Sequence, residues 1–273
     1  MTLSPQASKY HHTISNIRYL VNSGLLQLQE KDYDHVQMDY PVEPRGVKVV
    51  LGPGTGHGQA CLVQSKFSPC YEVYPGEGGH TEFAPRTDLD MKLVNFAKDY
   101  IQNSNNVENK RGKGPVDRIS HERLGAGPGV PLIYEFMKLE YPDMERILEN
   151  GPNAKTPDEI EAQDVVEAAM AKNDPLCMKA VDKFNEIFAV QAGDTALKYL
   201  PYGGIYLIGG VTMGIREKIL RDKSWLEHFN AKGRCSHITQ RFPVMILNPE
   251  TELGILGAEE QAYRLCGSYS KPE

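Results

Sequence analysis

The stretch VKVVLGPGTGHGQACLV, residues 47–63, contains the pattern that decides the fold. Residues 47–52 form a short apolar run that ends in a glycine turn, which is typical of a buried strand. Residues 59–65 and 71–74 have the same character, since each is rich in strand-forming side chains and is followed by turn formers. We therefore predict three consecutive strands here.

Helices are predicted after these strands. Apolar residues recur at helical spacing from about 87 to 103. Three further helix starts are predicted: one near Pro131, one at Thr156 with Pro157 and a capping box closed by Glu159, and one at Asp174 with Pro175. Cys177, Val181, Phe184 and Phe188 then lie on one helical stripe.

The end of the chain repeats the strand and helix pattern. Residues 203–210, GGIYLIGG, predict a buried strand between glycine pairs, and residues 254–266 predict a glycine-led helix. A strand cluster followed by helices and then by a strand and a helix indicates an α/β domain.

Composition excludes several kinds of partner. The chain has 273 residues and a net charge of −6, and this charge argues against nucleic acid as the main partner. No apolar run approaches the roughly 20 residues that span a bilayer. The five cysteines form no C-x-x-C pair and the histidines show no ligand spacing, so no metal site is predicted.

The cellular location is predicted from weak signals. Scattered, odd-numbered cysteines favour a reducing compartment, and we expect the cytoplasm. The first 29 residues contain no acid and several serines and threonines, which leaves the mitochondrion as the alternative.

Glycine clusters mark the candidate binding residues. In GPGTG the backbone N–H groups and the Thr55 hydroxyl can bind phosphoryl oxygens, although a tight hairpin needs the same glycines. In GEGGH, Glu77 and His80 stand on a nearly bare backbone, and Glu122 leads into another glycine turn. Carboxylates accept strong hydrogen bonds from hydroxyl groups. Glu77, His80 and Glu122 together are therefore predicted to be a sugar cradle, the name kept below for these three residues.

Five segments in order carry a family resemblance: GPGTGHGQACLV, YPGEGGHTEFAP, SHERLGAGPGVPLIYEF, GGIYLIGG and LGILGAEEQA. They resemble the signatures of the bacterial-type glucokinases, from about Gly46 to Ala262. The resemblance implies the actin-like ATPase (ribonuclease H-like) fold of the hexokinase superfamily. It also implies that the sugar cradle contacts glucose. His57 stands where the family often has Leu.

The resemblance also implies residues that face ATP and its Mg²⁺. Gly54, Thr55 and Gly56 match the turn at the phosphates, and Gly209 and Gly210 match the adenosine side.

Two features of the family are missing from this sequence. The Asp-x-Gly-Gly-Thr motif of the small lobe is absent, so residues 1–45 are predicted to be a remnant of that lobe and residues 46–273 the large α/β domain. The family Asp that accepts the sugar proton aligns with Ile17, or with Asn16 after a slip of one residue. Neither side chain is a carboxylate, so no catalytic residue is predicted.

These observations leave three functional hypotheses. The first is a glucokinase-like protein without phosphotransfer activity, a structural or accessory subunit whose protein partners cover the face that the small lobe would cover. The second is a genuine ATP-dependent glucokinase whose sequence is incomplete. The third is a module that senses sugar or nucleotide without catalysis.

Overall fold

A computed structural model describes residues 23–67, 70–103, 116–151 and 154–265. These residues build a six-stranded sheet in the order β1-β6-β5-β2-β3-β4. The strands are β1 (Tyr33–Gln37), β2 (Lys48–Pro53), β3 (His57–Gln64), β4 (Tyr71–Gly76), β5 (Ile205–Leu207) and β6 (Val244–Leu247).

The sheet mixes two kinds of pairing. β2, β3 and β4 form an antiparallel meander, and the hairpin between β2 and β3 closes where Pro53 pairs with His57. β5 lies between β2 and β6 and is parallel to both. β1 pairs antiparallel with β6 at the edge. Because β2 and β5 are parallel, the turns that follow them leave the sheet at the same edge, which is where the candidate site lies.

Helices pack around this sheet. They are α1 (Asp88–Asn103), α2 (His121–Gly125), α3 (Gly129–Glu140), α4 (Ile147–Asn150), α5 (Ala162–Met170), α6 (Pro175–Tyr199), α7 (Gly210–Gly214), α8 (Arg216–Arg221), α9 (Ser224–Asn230), α10 (Ser236–Thr239) and α11 (Leu253–Leu265). Short 3-10 turns span Gly24–Gln27, Glu30–Asp32, Gly78–His80, Pro157–Glu159 and Gly233–Cys235.

The α/β prediction and most predicted elements are confirmed. The three predicted strands are β2, β3 and β4, and the predicted strand at 203–210 contains β5. Asp174 caps α6, since its Oδ1 accepts a hydrogen bond of 2.9 Å from the Cys177 N–H. The predicted stripe on α6 is buried along its whole length. β1 and β6 are strands that the sequence reasoning did not find.

The helix predicted to start at Thr156 is a correction. The capping box of Thr156 and Glu159 forms, but it closes only the 3-10 turn Pro157–Glu159. Ile160 then adopts an extended backbone with φ −77° and ψ 117°, which ends that turn. α5 begins at Ala162 under a second capping box, made by Glu161 and Asp164. A capping box satisfies the first N–H groups of a single turn as well as those of a helix. The motif alone therefore does not determine how long the following element is.

The core lies on both faces of the sheet. On one face the large buried side chains of α6 and α9, Phe184, Phe188 and Trp225 among them, pack against β2, β5 and β6. On the other face Leu62, Tyr206 and their neighbours pack against the 3-10 turn at Gly24–Gln27 and the start of α11. The sheet that carries the candidate site is therefore supported from both sides.

Two further observations bear on the sequence predictions. Among residues 23–67, 70–103, 116–151 and 154–265, no helix is both long and apolar enough to cross a membrane. β1 lies before the domain boundary predicted at residue 45, and it pairs with β6 of the larger segment. The boundary itself stays a prediction.

Candidate functional site

The structure brings the predicted sugar cradle together. The chain leaves β4 through the 3-10 turn Gly78–His80, which places His80 between two acids. Its Nε2 lies 3.6 Å from Glu77 Oε2, and its Nδ1 lies 3.7 Å from Glu122 Oε1. The side chains of Glu77 and His80 are 68% and 55% exposed, so their polar atoms are open to a ligand. The arrangement offers a polyol two carboxylates that accept hydrogen bonds and one imidazole.

The turn that carries His80 packs closely against the start of β3. Gly79 is buried, and a Cβ at this position would lie 2.6 Å from the carbonyl oxygen of His57. Only glycine permits this approach of the two backbones. The Gly78 carbonyl accepts a hydrogen bond of 2.7 Å from Thr81 Oγ1, and Arg118 donates one of 2.9 Å to the His80 carbonyl. The backbone of the turn that carries His80 is thus fixed by contacts with His57, Thr81 and Arg118.

Glu122 is fixed by β3. Its Oε2 accepts a hydrogen bond of 2.8 Å from the backbone N–H of His57. The other carboxylate oxygen is the one that lies near His80. A carboxylate held by a backbone N–H is oriented without the entropy cost of ordering a second long side chain.

Two neutral histidines lie beneath the cradle. The His57 ring lies 2.9 Å from the Gly125 carbonyl through Nδ1, and burial lowers the pKa of His57. Burial lowers the pKa of His121 to about 4. Both rings are therefore uncharged at neutral pH, and His80 is the imidazole that a ligand meets.

Sequence reasoning missed the residues that support the cradle. Gln191 of α6 donates a weak hydrogen bond of 3.4 Å to the Gly78 carbonyl. A glutamine among the apolar residues of α6 was the available signal, because a buried amide needs a polar partner. For Arg118 and the ring of His57 no local pattern gave a signal.

A cleft next to the cradle contains part of the predicted phosphate site. Its volume is about 870 Å³, and Gly54, Thr55 and Gly210 lie in its wall with the apolar side chains of α3 and α5. Pockets of this size hold drug-sized or nucleotide-sized ligands. Gly209 and Gly56 are not in the wall. Gly209 packs on Pro53, and a Cβ at Gly56 would lie 2.8 Å from Glu122 Oε2.

The cradle and the cleft are connected through the turn after β2. The N–H of Gly127 donates a hydrogen bond of 2.7 Å to the Gly54 carbonyl, which ties the turn after β2 to the turn between α2 and α3. Gly56 faces Glu122 from the other end of the same turn. The residues predicted to contact phosphate and those predicted to contact sugar are thus parts of one connected structure.

The residues described by the structure do not test every prediction. Asn16 and Ile17, which align with the family Asp, lie outside the described residues. Within the described part of the chain, no group of three or more His, Cys, Asp or Glu side chains is arranged to hold a metal ion.

Replacing Gly209 by alanine is expected to destabilise the fold, whereas Gly210→Ala is expected to be nearly neutral. Gly209 has φ +96°, and a Cβ there would lie 2.5 Å from the Pro53 carbonyl oxygen, while a Cβ at Gly210 meets nothing within 4 Å. With ψ 152°, Gly209 lies in a backbone region that is nearly restricted to glycine, and holding another residue there costs of order 1–3 kcal/mol. Urea unfolding of both variants measures the difference. Equal midpoints for the two variants would contradict the strained geometry.

Comparisons with known proteins agree on one family. A glucokinase family model matches residues 19–264. The glucokinase of Nostoc punctiforme is 33% identical over 264 residues, which cover 90% of this chain and 71% of that protein. The glucokinase of Synechocystis is 34% identical over 249 residues, covering 87% of this chain and 64% of that protein.

Solved structures agree on the fold. A glucokinase from an Antarctic psychrotroph superposes with a TM-score of 0.70 at 24% identity, covering 90% of this chain and 66% of that one. Leishmania braziliensis glucokinase gives a TM-score of 0.70 at 19% identity, covering 89% and 62%. The predicted actin-like ATPase architecture is confirmed.

The present chain spans 71% and 64% of the two relatives' lengths, about two thirds. By its family model and by its identity to these relatives, the chain belongs to the glucokinase family.

Proposed function

We propose that this chain binds glucose at Glu77, His80 and Glu122. The observation that supports the proposal is the placement of one exposed imidazole between two carboxylates, one of which is held by a backbone N–H. A hexose presents adjacent hydroxyl groups, and each carboxylate can accept from them. Hydrogen bonds to charged groups contribute about 1.5–3 kcal/mol each, which suits a polar ligand in an open site.

We further propose that the cleft beside the cradle binds ATP with Mg²⁺. Gly54 and Thr55 would hold the phosphates, with Gly56 completing the turn, and Gly210 would lie beside the nucleoside. Gly209 would set the course of the chain before α7. When bound, ATP supplies the phosphoryl group. The turn in the cleft wall is nearly bare of side chains, which suits phosphates. The opposite wall combines apolar residues such as Leu132, Val166 and Met170, which can contact a base, with the acids Asp158, Glu161 and Glu167.

Residues 1–273 are proposed to bind glucose without phosphorylating it at an ordinary enzymatic rate. Phosphoryl transfer needs a carboxylate that accepts the hydroxyl proton, and the residue aligned with it is Ile17 or Asn16. Loss of a general base costs roughly 10²–10⁴ in rate. We propose that the chain acts as a structural or accessory subunit in the cytoplasm, with a protein partner beside the cradle, and that residues 1–45 correspond to part of a small lobe.

A second function has its own support. The cradle and the cleft are both formed, and the chain spans 71% and 64% of two relatives named glucokinase. These features favour a genuine ATP-dependent glucokinase of which residues 1–273 are a piece, with the base and the remaining phosphate contacts supplied by sequence outside it.

Calorimetry and a coupled assay on recombinant residues 1–273 test these proposals. We expect saturable heat on adding glucose, and production of glucose 6-phosphate at least a hundredfold slower than by a relative assayed alongside. Absence of glucose heat would overturn the binding proposal. Ordinary turnover would overturn the loss of activity. Mass spectrometry of the native N-terminus distinguishes the second function from the first, since peptides upstream of Met1 would support the second.

A further inference from the structure

His57 contacts the helix that carries Glu122 at two points. It is the first residue of β3, and only 4% of its surface is exposed. Its backbone N–H donates to Glu122 Oε2 at 2.8 Å, and its ring nitrogen Nδ1 lies 2.9 Å from the carbonyl of Gly125, the last residue of α2. The ring is also packed edge-on against Phe188 at 6.0 Å between centroids. Its position is therefore fixed by the core.

The helix α2 needs such anchors. It has five residues, and a helix of this length is not stable without tertiary contacts. Its first N–H, that of His121, donates to the Thr81 carbonyl at 3.0 Å. At its other end the Gly125 carbonyl accepts the hydrogen bond from the His57 ring.

The proton on the His57 ring is assigned by this contact. A carbonyl oxygen only accepts hydrogen bonds, so Nδ1 carries the hydrogen. Burial lowers the pKa of His57, which keeps the ring neutral, and Nε2 has no hydrogen-bond partner among the residues that the structure describes. The ring therefore acts as a single donor. A leucine at this position would fill a similar space but would donate nothing.

We propose that His57 is a positioning residue whose ring, by holding the Gly125 carbonyl, keeps the Glu122 carboxylate in place for glucose. The proposal rests on the proposed function of the cradle. His57 acts through α2 and is not in contact with the sugar in this proposal.

The first test compares His57→Leu with His57→Asn. The leucine variant keeps the backbone N–H and approximately the volume but loses the ring donor, so the Kd for glucose is expected to rise about fivefold to tenfold. An asparagine Nδ2 can replace the ring Nδ1 as donor, and this variant is expected to recover most of the affinity. His35→Leu removes an exposed histidine of β1 and serves as the control. Equal glucose affinity of wild type and His57→Leu would overturn the proposal.

A double-mutant cycle separates positioning from general loosening of the fold. In a Glu122→Gln background, His57→Leu is expected to cost little further affinity, because the group it positions has already been altered. Additive losses would show that His57 acts elsewhere and would overturn the proposal.

Hydrogen exchange of residues 121–126 provides a readout that does not depend on glucose. Exchange is expected to be faster in His57→Leu than in wild type and near the wild-type rate in His57→Asn. If wild type binds no glucose, the proposed function fails while this comparison still decides whether the ring anchors α2. Unchanged exchange in His57→Leu would overturn the anchoring.

Discussion

Glucose affinity is expected to fall by about a hundredfold when Glu122 is replaced by alanine. The carboxylate is expected to accept a hydroxyl hydrogen bond from the sugar, and bonds to charged groups contribute about 1.5–3 kcal/mol. Its removal also leaves the His57 N–H without the acceptor that it has at 2.8 Å. That second loss is the same with and without glucose, so it lowers stability and not affinity. Each 1.4 kcal/mol is a factor of ten in Kd, so the lost sugar hydrogen bond, near the upper end of its range, accounts for about a hundredfold. Isothermal titration with glucose measures the change.

A neighbouring acid provides the control for Glu122. Glu82 lies two residues after His80 and is exposed, so Glu82→Ala removes the same charge from the same surface. We expect its glucose affinity to stay within a factor of two of wild type, since exposed charges interact weakly. A similar loss in both variants would mean that overall charge, and not the placement of Glu122, controls binding.

Stability is expected to fall by about 3–5 kcal/mol when Lys183 of α6 is replaced by methionine. Lys183 and Asp90 form a salt bridge with side chains only 5% and 3% exposed. Asp90 also accepts hydrogen bonds of 2.9 Å from the N–H groups of Arg86 and Thr87 at the start of α1. Without the lysine, a buried carboxylate loses its cation. The midpoint of thermal unfolding is expected to fall by roughly 10 °C for a chain of this size.

The lowered pKa of Asp90 in the same pair predicts that stability depends on pH. Burial alone raises the pKa of Asp90, but hydrogen bonds from Lys183 and the Arg86 N–H and the charge of Lys183 outweigh it, and the net pKa is below the ordinary value of 3.8. A carboxyl group whose pKa is lower in the folded than in the unfolded chain stabilises the fold. This stabilisation is complete above the unfolded-state pKa and is lost as the pH falls through the folded-state pKa. The difference between wild type and Lys183→Met is therefore expected to shrink below about pH 3.8.

Lys92→Met is the matched control for Lys183→Met. Lys92 forms a salt bridge of 2.7 Å with Glu140, but its side chain is 61% exposed. Exposed pairs contribute about 0–1 kcal/mol. We therefore expect Lys92→Met to unfold within a few degrees of wild type. If the two variants lost equal stability, burial would not be what makes the Asp90 pair important.

The sequence predicted the elements whose ends carry clear turn or capping residues. β2, β3 and β4 each end in glycine or proline turns, and α6 begins with a capping Asp174 followed by Pro175, so local chemistry was sufficient. β6 is a four-residue apolar run, and β1 is mostly polar with only two of its five residues exposed. Neither shows the alternation of apolar and polar residues that distinguishes a strand. These two strands depend on pairing with each other and with β5.

The candidate site was predictable only in its exposed part. Glu77, His80 and Glu122 could be found because they are ionisable residues next to clusters of glycine. Their supports are long-range contacts: His57 meets Gly125 across 68 positions of sequence, and Gln191 meets Gly78 across 113. No window of sequence contains both partners of such a contact, so only the folded chain reveals them.

The order of the strands has a consequence for how the protein is made. The centre of the sheet joins β2, near residue 50, to β5, near residue 206, and β5 to β6, near residue 245. A ribosome adds about 5–20 residues per second, so the early hairpin is synthesised on the order of 8–30 s before β5, which pairs with the free edge of β2. During that interval one edge of β2 is uncovered and open to wrong partners. We therefore expect nascent chains stalled before residue 205 to be captured by chaperones, and chains extended past residue 247 to escape them.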